Sequence, residues 1–585
     1  MKRSIVLLWV LLLFTTPLSA ATYYLDAIDG DDDAGDGSAA SPWASMERVF
    51  QAVEPGDTVL LRPGRYGSVA FGEDAGVGSD AGHVTYKADP DTTTPRPDTW
   101  YEDGLPRPDA DNPDGQVIFD LISFDLYSED VDAETKTGTP TGHYITIEGF
   151  NVVDGNINFK SYVSDVVVRD CNVFGQWGDY STDITSTGLN LYRAYYWGSN
   201  YRNILLEDNY VTHCRGGVIL LGNFHNVTVR GNHFEHFAST AIGVNGEMDN
   251  VLIEGNHAHG QVVRADTKKH TTTVAAPDAG AAGRRFTIAD DIRFHDYATI
   301  TDADTGDAEL RVVTEYDSQT RRLTLDEPLP FDLAPGDEVV LWDGTHGSGV
   351  AVRSSNFTLR GNRIHNLGGT RGIYFYTPGD AGYHDVVIEN NLIYATLNQY
   401  TVDLNRGLGD RCVIRNNTFV GRVHPNFHRN GDTNLLYGFG LFRAAAAPDA
   451  DASSIVVANN LIVGTGSAPQ GATVKNNIVY ASSDFEQDDD GPNAGNRVYH
   501  DADGPGRAAR PFHGSGRFFV GGEQFEELAF QQQHGENFNA AFRLVESAAA
   551  VGAADPEHAT PTDITGQPRD DAPDVGAHEY RDASR

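Results

Sequence analysis

The sequence has little of three things that define other classes of protein. Only three cysteines occur among 585 residues, which excludes a disulfide framework. Only seven of the 43 basic residues are lysines, and a formal net charge of −40 repels nucleic acid and anionic membrane surfaces. After the first 20 residues no apolar run is long enough to span a membrane. Glycine is abundant instead, with 62 residues, and a hydrophobic content of 40% can form a large core.

The amino terminus predicts export. Residues 1–20 begin with Lys2 and Arg3, continue through the apolar run 5–14 and lead into the small-residue sequence PLSAA. This order of basic, apolar and small residues is typical of a cleaved signal peptide. We therefore expect a secreted or periplasmic protein that is soluble and monomeric.

One short phrase recurs along the chain. It reads NVTVRGNHF at 226–234, NVLIEGNHA at 250–258, NFTLRGNRI at 356–364 and DVVIENNLI at 385–393. Most successive copies are about 17 to 29 residues apart, which is the period of a solenoid. Each copy combines a short alternating strand with a polar turn, and this predicts the coils of a β-helix, whose corresponding residues stack at strand spacing.

The turn residue of each phrase predicts a ladder. Asparagine amides that stack coil on coil can bond to one another, so polar groups of the turn can be buried. We expect one buried row, in which the aligned residues are Phe150, Cys171, Asn209, Asn232, Asn256, Asn362, Asn391, Asn417, Asn460 and Asn477. Two positions earlier, the charge alternates in sign from coil to coil, and this predicts cross-strand ion pairs among Glu148, Arg169, Glu207, Arg230, Glu254, Arg360, Glu389 and Arg415.

These coils resemble the secreted right-handed parallel β-helix proteins of the pectate lyase group, which includes alginate lyases and chondroitinase B. The resemblance covers about residues 144–480 and two flanking segments, PGDTVLLRPGRY at 55–66 and TDITGQPRDDAPDVGAHEY at 562–580. It implies an all-β fold, a right-handed parallel β-helix with an amino-terminal cap. Lyases, hydrolases, epimerases and non-enzymes share this fold, so the fold does not decide the function.

An insertion interrupts the period. Asn362 follows Asn256 by 106 residues, about 80 more than one coil needs. The extra segment has its own strand signals, such as ELRVVTEY and DEVVLWDG, and predicts a small β subdomain that walls one side of the solenoid. The predicted organisation is a signal peptide at 1–20, an amino-terminal cap with the first coils at 21–143, coils at 144–262, the inserted subdomain at 263–343, coils at 344–480, and a carboxy-terminal extension and cap at 481–585.

One strand of each coil alternates regularly between apolar and other residues. Its apolar positions face the core, so the residues between them face outward. The predicted outward pairs are Asn190 and Tyr192, Ile219 and Leu221, Gly243 and Asn245, Ala351 and Arg353, Tyr374 and Tyr376, Asp403 and Asn405, and Gly440 and Phe442. The middle of this series is polar and aromatic, which suits a sugar chain.

The chemistry of this strip favours a uronate. Arg353 can neutralise a sugar carboxylate, and Tyr376 or Tyr374 can transfer the proton in β-elimination. His346, seven residues before Arg353, is a further candidate acid or base. The predicted substrate-binding residues are Asn245, Asp403, Asn405 and Arg406.

Arg353 also has a counterpart in the family. In VAVRSSNFTLRGNRI it lies nine residues before Asn362 and resembles the Leu-Arg segment that carries the catalytic arginine of chondroitinase B and related alginate lyases. The resemblance implies a lysine base and acidic calcium ligands as well. The preceding coil reads STAIGVNGEMDN and has no lysine.

The predicted function is therefore a lyase that cleaves an anionic polysaccharide. Two alternatives stay open: a β-helix glycoside hydrolase, which needs two suitably spaced carboxyl groups, and a carbohydrate-binding or surface protein without turnover. No cofactor is expected, although the loop DGDDDAGD at 29–36 has carboxylates that could hold calcium. Six histidines lie in predicted turns: His213, His233, His236, His257, His259 and His365. His233 and His257 stack one coil apart, but no third ligand is clear beside them, so we expect these histidines to be partly exposed rather than to bind a metal.

Overall fold

The computed structural model describes residues 20–72, 76–90, 107–109, 115–124, 142–160, 162–175, 187–192, 200–259, 268–281, 283–292, 297–325, 328–342, 345–365, 369–376, 381–394, 400–420, 442–463, 466–480, 495–499 and 550–580. Apart from Ala20, the predicted signal peptide lies outside them. Helix is scarce: an α-helix spans Met46–Phe50, where Ser45 accepts a bond from the Arg48 amide, and a 3-10 turn spans Ala452–Ser454. No described helix combines the length and the apolar content needed to cross a bilayer.

Strand pairing confirms a right-handed parallel β-helix. Neighbouring strands run parallel in a 22-stranded sheet and in a 13-stranded sheet. Each coil contributes three strands, so the solenoid has three faces around one core. Right-handed winding follows from the twist of strands joined by crossovers.

Faces 1 and 2 belong to the larger sheet, and face 3 is the smaller sheet. Face 1 contains Ser68–Phe71, Leu121–Phe124, Ile157–Phe159, Thr187–Tyr192, Thr345–Arg353, Gly369–Phe375, Tyr400–Leu408, Phe442–Ala446 and Gly466–Ser467. Face 2 contains Thr22–Leu25, Thr58–Leu61, Val84–Ala88, Gly142–Glu148, Val163–Arg169, Asn200–Glu207, Phe357–Arg360, Val386–Glu389, Val413–Arg415, Val456–Ala458 and Thr473–Lys475. Face 3 contains Gly64–Arg65, Val117–Phe119, Asn151–Val153, Asn172–Phe174, Tyr210–Thr212, His233–Glu235, His257–His259, Arg363–Ile364, Leu392–Tyr394, Thr418–Val420, Leu461–Val463, Ile478–Tyr480 and Arg497–Tyr499.

Two long strands, Gly216–Arg230 and Ile242–Glu254, turn the corner from face 1 into face 2 without a break. Gly222 and Gly246 stack at that corner. At Gly246 the φ angle is 122°, and a Cβ atom there would lie 2.0 Å from the Gly222 carbonyl oxygen. Only glycine allows the chain to turn so closely against the coil beside it.

The interior is filled by inward-facing apolar side chains of all three faces. Aromatic rings stack from coil to coil, as in Phe71, Phe124 and Phe159, whose successive centroids are 5.4 and 4.8 Å apart. Cys412 is fully buried in this core and forms no disulfide. A single core thus runs along the axis rather than a set of separate domain cores.

The asparagine ladder is confirmed. Asn232 donates from its side chain to Asn256 Oδ1 at 3.0 Å, and the same oxygen accepts the Asn232 backbone amide. The row is buried and continues one coil beyond the predicted residues, to Asn496. Each of the following side chains donates to the asparagine of the next coil: Asn209, Asn232, Asn256, Asn362, Asn391, Asn417, Asn460 and Asn477. Each side chain thereby satisfies turn amides that would otherwise be buried without a partner.

The alternating charges also pair as predicted. Arg360 bonds Glu254 at 2.7 Å and lies 3.8 Å from Glu389, while Arg415 bonds Glu389 at 2.8 Å. Arg169 pairs with Glu148 in the same way. Because these charges neutralise one another, the column on face 2 is structural.

The inserted segment contains a closed antiparallel barrel of six strands. The strands are Lys268–Pro277, Arg285–Ile288, Tyr297–Thr301, Ala308–Asp317, Arg322–Leu325 and Glu338–Trp342. They enclose their own apolar cluster, including Phe286, Ile300 and Leu341. The domain boundaries proposed from the sequence, and the idea that this barrel walls the strip on face 1, stay predictions.

The carboxy-terminal segment 550–580 lies along the side of the solenoid. It accepts bonds from turn asparagines of successive coils, in reverse order: Asn476 donates to Ala553 O, Asn459 to Asp555 O and Asn390 to Thr562 O. The sequence predicted a carboxy-terminal extension and cap for 481–585, and that assignment stays a prediction. The described part runs back along several coils, whose turns present a row of amide groups.

The acidic amino-terminal loop uses its carboxylates within its own turns. Asp26 Oδ1 accepts the amides of Ile28 and Asp29, and Asp32 Oδ1 accepts those of Ala44 and Ser45. Such contacts are typical of turns rich in aspartate. Calcium binding in this loop stays a prediction.

Candidate functional site

The strand register places the predicted site residues on face 1. Asn245 is in register with Arg353, and Tyr374 lies between Ala351 and Asp403. Their neighbours along each strand, such as Val352 and Phe375, point into the core. The outward positions are therefore confirmed for Asn245, Arg353, Tyr374, Tyr376 and Asp403.

The aromatic residues and arginines of this face form one continuous stack. The Arg353 guanidinium carbon lies 3.7 Å from the centroid of the Tyr376 ring. The rings of Tyr376 and Tyr374 are 4.5 Å apart and tilted by 55°. Arg371 covers the Tyr374 ring at 3.8 Å. We call Arg353, Tyr376, Tyr374, Arg371 and Asp403 the arginine–tyrosine strip.

The two arginines of the strip have different surroundings. Arg371 Nε donates to Asp403 Oδ2 at 2.8 Å, and Asp403 is only 4% exposed. Arg353 is exposed, and within the part of the chain that the structure describes no carboxylate is in ion-pair contact with it. Because the protein has nearly twice as many acidic as basic residues, an exposed arginine without an acidic neighbour is notable. Its N–H groups can receive an anion from solution.

Tyr383 is a third tyrosine beside the strip. Its ring meets Phe375 edge-on at 5.6 Å. Burial raises its pKa, and the charges of Arg353 and Tyr374 act on it as well, Arg353 lowering and Tyr374 raising the pKa. Tyr383 is therefore kept in its neutral form, as a hydrogen-bond donor rather than a base.

Some predicted residues have no described side chain. His346, Asn405 and Arg406 lie in strands of face 1, but their side chains are outside the described part of the structure. One predicted register is wrong. In the sheet, Phe442 is in register with Val402, whose side chain faces the core, and Arg443 is in register with Asp403. Alternation cannot carry the register across the 38 residues between Asp403 and Phe442, because it does not predict the length of a loop.

Sequence reasoning missed Arg371 and Tyr383. Arg371 has the same parity as the inward Ile373, so alternation predicts that it faces the core. It lies where the pairing with the preceding strand shifts register, between Thr345 and Ser348, and its guanidinium turns outward over Tyr374. The charge of Arg371 could have indicated its outward direction, because an arginine that faced the apolar core would need a charged partner there.

The strip offers few oxygen ligands. Asp403 is its carboxylate, and that group is already bonded to Arg371. Gly243 and Asn245 lie on the preceding coil, beside Ala351 and Arg353, and neither carries a carboxylate. A calcium-assisted mechanism therefore has no support from the described residues of face 1.

The histidine prediction is wrong in one respect. His233, His257, His259 and His365 are not partly exposed turn residues, because they are 7%, 1%, 1% and 0% exposed. They project from the outer side of face 3. His213 is different: it pairs with His236, and burial together with His236 and Arg107 lowers its pKa to about 3.

A cavity of about 310 Å³ lies elsewhere, on face 2 beneath the carboxy-terminal segment. Its charged walls are Glu254, Arg360 and Glu389, and Thr562 and Ile564 close the other side. Arg360 is already paired with both glutamates. The cavity is therefore a seam between two parts of the fold, and it includes no residue of the strip.

Comparison with known proteins gives remote structural similarities. No protein-family model and no curated sequence matches the chain. Among solved structures it is similar to pectate lyase Pel9A, with 12% identity, 97% of this chain and 98% of the other covered, and a TM-score of 0.32. An alginate lyase from Paenibacillus sp. str. FPU-7 has 9% identity, 82% and 98% coverage and a TM-score of 0.32. The GH136 lacto-N-biosidase from Eubacterium ramulus has 13% identity, 82% and 68% coverage and a TM-score of 0.33. Values this low carry no argument about activity, and the fold is established by the strand pairing itself.

Proposed function

We propose that the protein is an exported polysaccharide lyase that cleaves a uronate-containing chain on face 1. The observation that carries the proposal is the exposed guanidinium of Arg353, stacked on Tyr376 without an acidic partner among the described residues. The amino-terminal basic, apolar and small-residue pattern supports export. The strip supports an anionic sugar chain because it combines aromatic faces with an available cation.

The proposed chemistry is β-elimination. Arg353 bonds the uronate carboxylate and stabilises the negative charge that develops when the neighbouring carbon loses its proton. Tyr376, in its deprotonated form, accepts that proton, the electron pair forms a carbon–carbon double bond, and the glycosidic carbon–oxygen bond breaks. The Tyr376 hydroxyl formed in this way returns the proton to the leaving oxygen, so one unsaturated sugar end and one new hydroxyl are formed. Tyr374, one ring away, is the second candidate for the proton transfer.

Hydrolysis is less well supported. It requires two carboxyl groups flanking the glycosidic bond, one of them protonated. On the described part of the strip the carboxylate is Asp403, which is buried against Arg371. Glu247, the other candidate in the described part, is exposed in the strand that precedes Arg353 in the sheet.

A spectroscopic screen tests the proposal. Alginate, pectate and glycosaminoglycans are incubated with the full-length protein, and absorbance near ~235 nm is recorded because elimination creates an unsaturated uronate. We expect an increase with one of these polymers. New reducing ends without that absorbance would establish hydrolysis instead. If neither product forms, the protein would be a binding protein without turnover.

Variants then locate the site. We expect Arg353→Lys to lose about 100-fold or more in rate, because an ammonium cannot reproduce the two-pronged contact of guanidinium with carboxylate. Tyr376→Phe should abolish turnover and retain binding, because only the hydroxyl is removed. The matched controls Arg415→Lys and Tyr24→Phe, both on face 2 and not on the face that carries the strip, should keep the wild-type rate. If both strip variants keep it too, the strip is not the active site.

A further inference from the structure

Four imidazoles meet on the outer side of face 3. Two columns of outward residues run along this face: His233 and His257 are in register in one, and His259 and His365 continue the other. The ring centroids of neighbouring members are between 4.7 and 5.0 Å apart. We call His233, His257, His259 and His365 the histidine cluster.

The cluster is connected through its Nε2 atoms. His233 Nε2 lies 2.7 Å from His259 Nε2, and His257 Nε2 lies 2.6 Å from His365 Nε2. Each contact joins a residue of the first column to one of the second column on the next coil. Nitrogen atoms of His233, His257 and His259 all lie within 4.8 Å of one another. Three imidazoles therefore converge, and His365 extends the group through its contact with His257.

Burial keeps these rings suited to metal binding. All four residues are at least nine-tenths buried, and burial disfavours the charged form of an imidazole. A neutral imidazole has a free lone pair for a metal, whereas a protonated one does not. Glu235, buried on the preceding coil and bonded by the Tyr210 hydroxyl at 2.5 Å, adds a carboxylate next to the cluster. Arg363, in register with His257, places a positive charge beside the cluster, which weakens cation binding.

We propose that the histidine cluster is a binding site for a divalent transition metal of the zinc class. Imidazole nitrogen is a preferred ligand of zinc, copper and nickel, and a tetrahedral structural site needs four ligands. His233, His257 and His259 already lie close together, and His365, in contact with His257, would move in as the fourth ligand. Ligand nitrogens on zinc are about 3.3 Å apart, so each Nε2 pair opens by about 0.6 Å when the ion enters. The ion would join three consecutive coils across face 3. This site is independent of the strip and of the proposed lyase reaction.

The proposal is tested on the full-length protein after removal of metal with a chelator. Cobalt(II) is added first, because its visible absorption reports tetrahedral nitrogen coordination, and zinc is then added to displace it. We expect one equivalent of each metal per chain and a higher melting temperature with zinc. Failure of the wild-type protein to take up a stoichiometric metal would overturn the proposal and leave the cluster as a hydrogen-bonded imidazole network.

Variants assign the binding to these residues. His257→Gln and His365→Gln should each weaken metal binding at least about tenfold and remove the zinc-dependent rise in melting temperature. The control is His225→Gln, because His225 bonds Asp249 at an exposed position of face 2 and should not affect binding. Retention of wild-type affinity in both cluster variants would place the metal elsewhere. If one variant does not fold, the other variant and the wild-type cobalt spectrum decide the question.

Discussion

The arginine–tyrosine strip and the histidine cluster occupy equivalent positions on different faces of one solenoid. Both consist of side chains that point away from the core, on strands with the same inward and outward alternation. Yet Arg353 is exposed, whereas His257 and His365 are almost completely buried. Strand parity therefore fixes the direction of a side chain without fixing whether water reaches it.

The difference in exposure determines which polar groups each face can hold. On face 1, the guanidinium groups lie against aromatic rings and, for Arg371, against a carboxylate, which are favourable surroundings for a positive charge. On face 3, imidazoles can be buried because they lose their charge without losing their hydrogen-bonding capacity. The comparison predicts that similar substitutions have very different costs on the two faces.

The largest expected contrast comes from placing a lysine on each face. His257→Lys introduces an uncompensated charge into a buried cluster, and we expect the free energy of unfolding to fall by about 3 to 5 kcal/mol. Asn245→Lys changes a half-exposed outward residue of face 1 and should stay within about 0.5 kcal/mol of wild type. Urea denaturation at neutral pH measures both. Equal losses would show that the two faces do not differ in this way.

The second prediction concerns pH. Burial, with the neighbouring His259, His365, His233 and Arg363, depresses the pKa of His257, so this residue is neutral in the folded protein. The unfolded chain takes up the corresponding proton as pH falls through 6.5, the ordinary value. His257 should therefore lower the free energy of unfolding by about 1.4 kcal/mol for each pH unit below 6.5.

This slope is measured by comparing variants in chelator-treated buffers. Between pH 6.5 and pH 5 the wild-type protein should lose about 2 kcal/mol more than His257→Gln, because the variant lacks the group that takes up the proton. Asn245→Gln, which changes no titratable group, should follow the wild-type slope. A His257→Gln variant with the wild-type slope would mean that His257 is already charged in the fold.

The smallest effect on the free energy of unfolding is expected at Asp403, an acid of face 1 that is as buried as the histidines. Asp403→Asn leaves Arg371 with a neutral acceptor, and we expect a loss of about 1 to 2 kcal/mol, limited because the Arg371 side chain keeps some solvent contact. Asp249→Asn, at an exposed pair with His225, should change stability by less than about 0.5 kcal/mol. A neutral result at Asp403 would show that its pair with Arg371 contributes no stability.

Repeats made most of the fold predictable. The phrase around Asn232 carries the strand, the turn and the ladder residue together, so one coil predicts the next. The same signal occurs at Asn496 in AGNRVY, but the acidic run before it lacks the alternating pattern that precedes the other ladder residues, so alternation does not predict this coil. Register became unpredictable after Asp403, because a long interval leads to Phe442 and alternation does not measure loop length.

The candidate site was predictable only in part, for a related reason. Arg353, Tyr374 and Tyr376 follow from alternation, because each occupies an outward position of a regular strand. Arg371 does not, because it turns outward at a shift in the pairing, and Tyr383 lies outside any strand. Their contacts with the strip depend on where the chain returns after each coil.

The sequence by itself determined the repeating elements of this protein: the stacked asparagines, the alternating charges of face 2 and the outward direction of Arg353, Tyr374 and Tyr376. These features depend on spacings of a few residues and on the fixed geometry of the β-strand. Only the tertiary structure decided that the histidines of face 3 are buried and converge, that Arg371 bonds Asp403, and that segment 550–580 runs back along the coils. Whether side chains from different coils are buried or converge depends on which distant segments pack against them. A repeat of a few residues in the sequence does not contain that information.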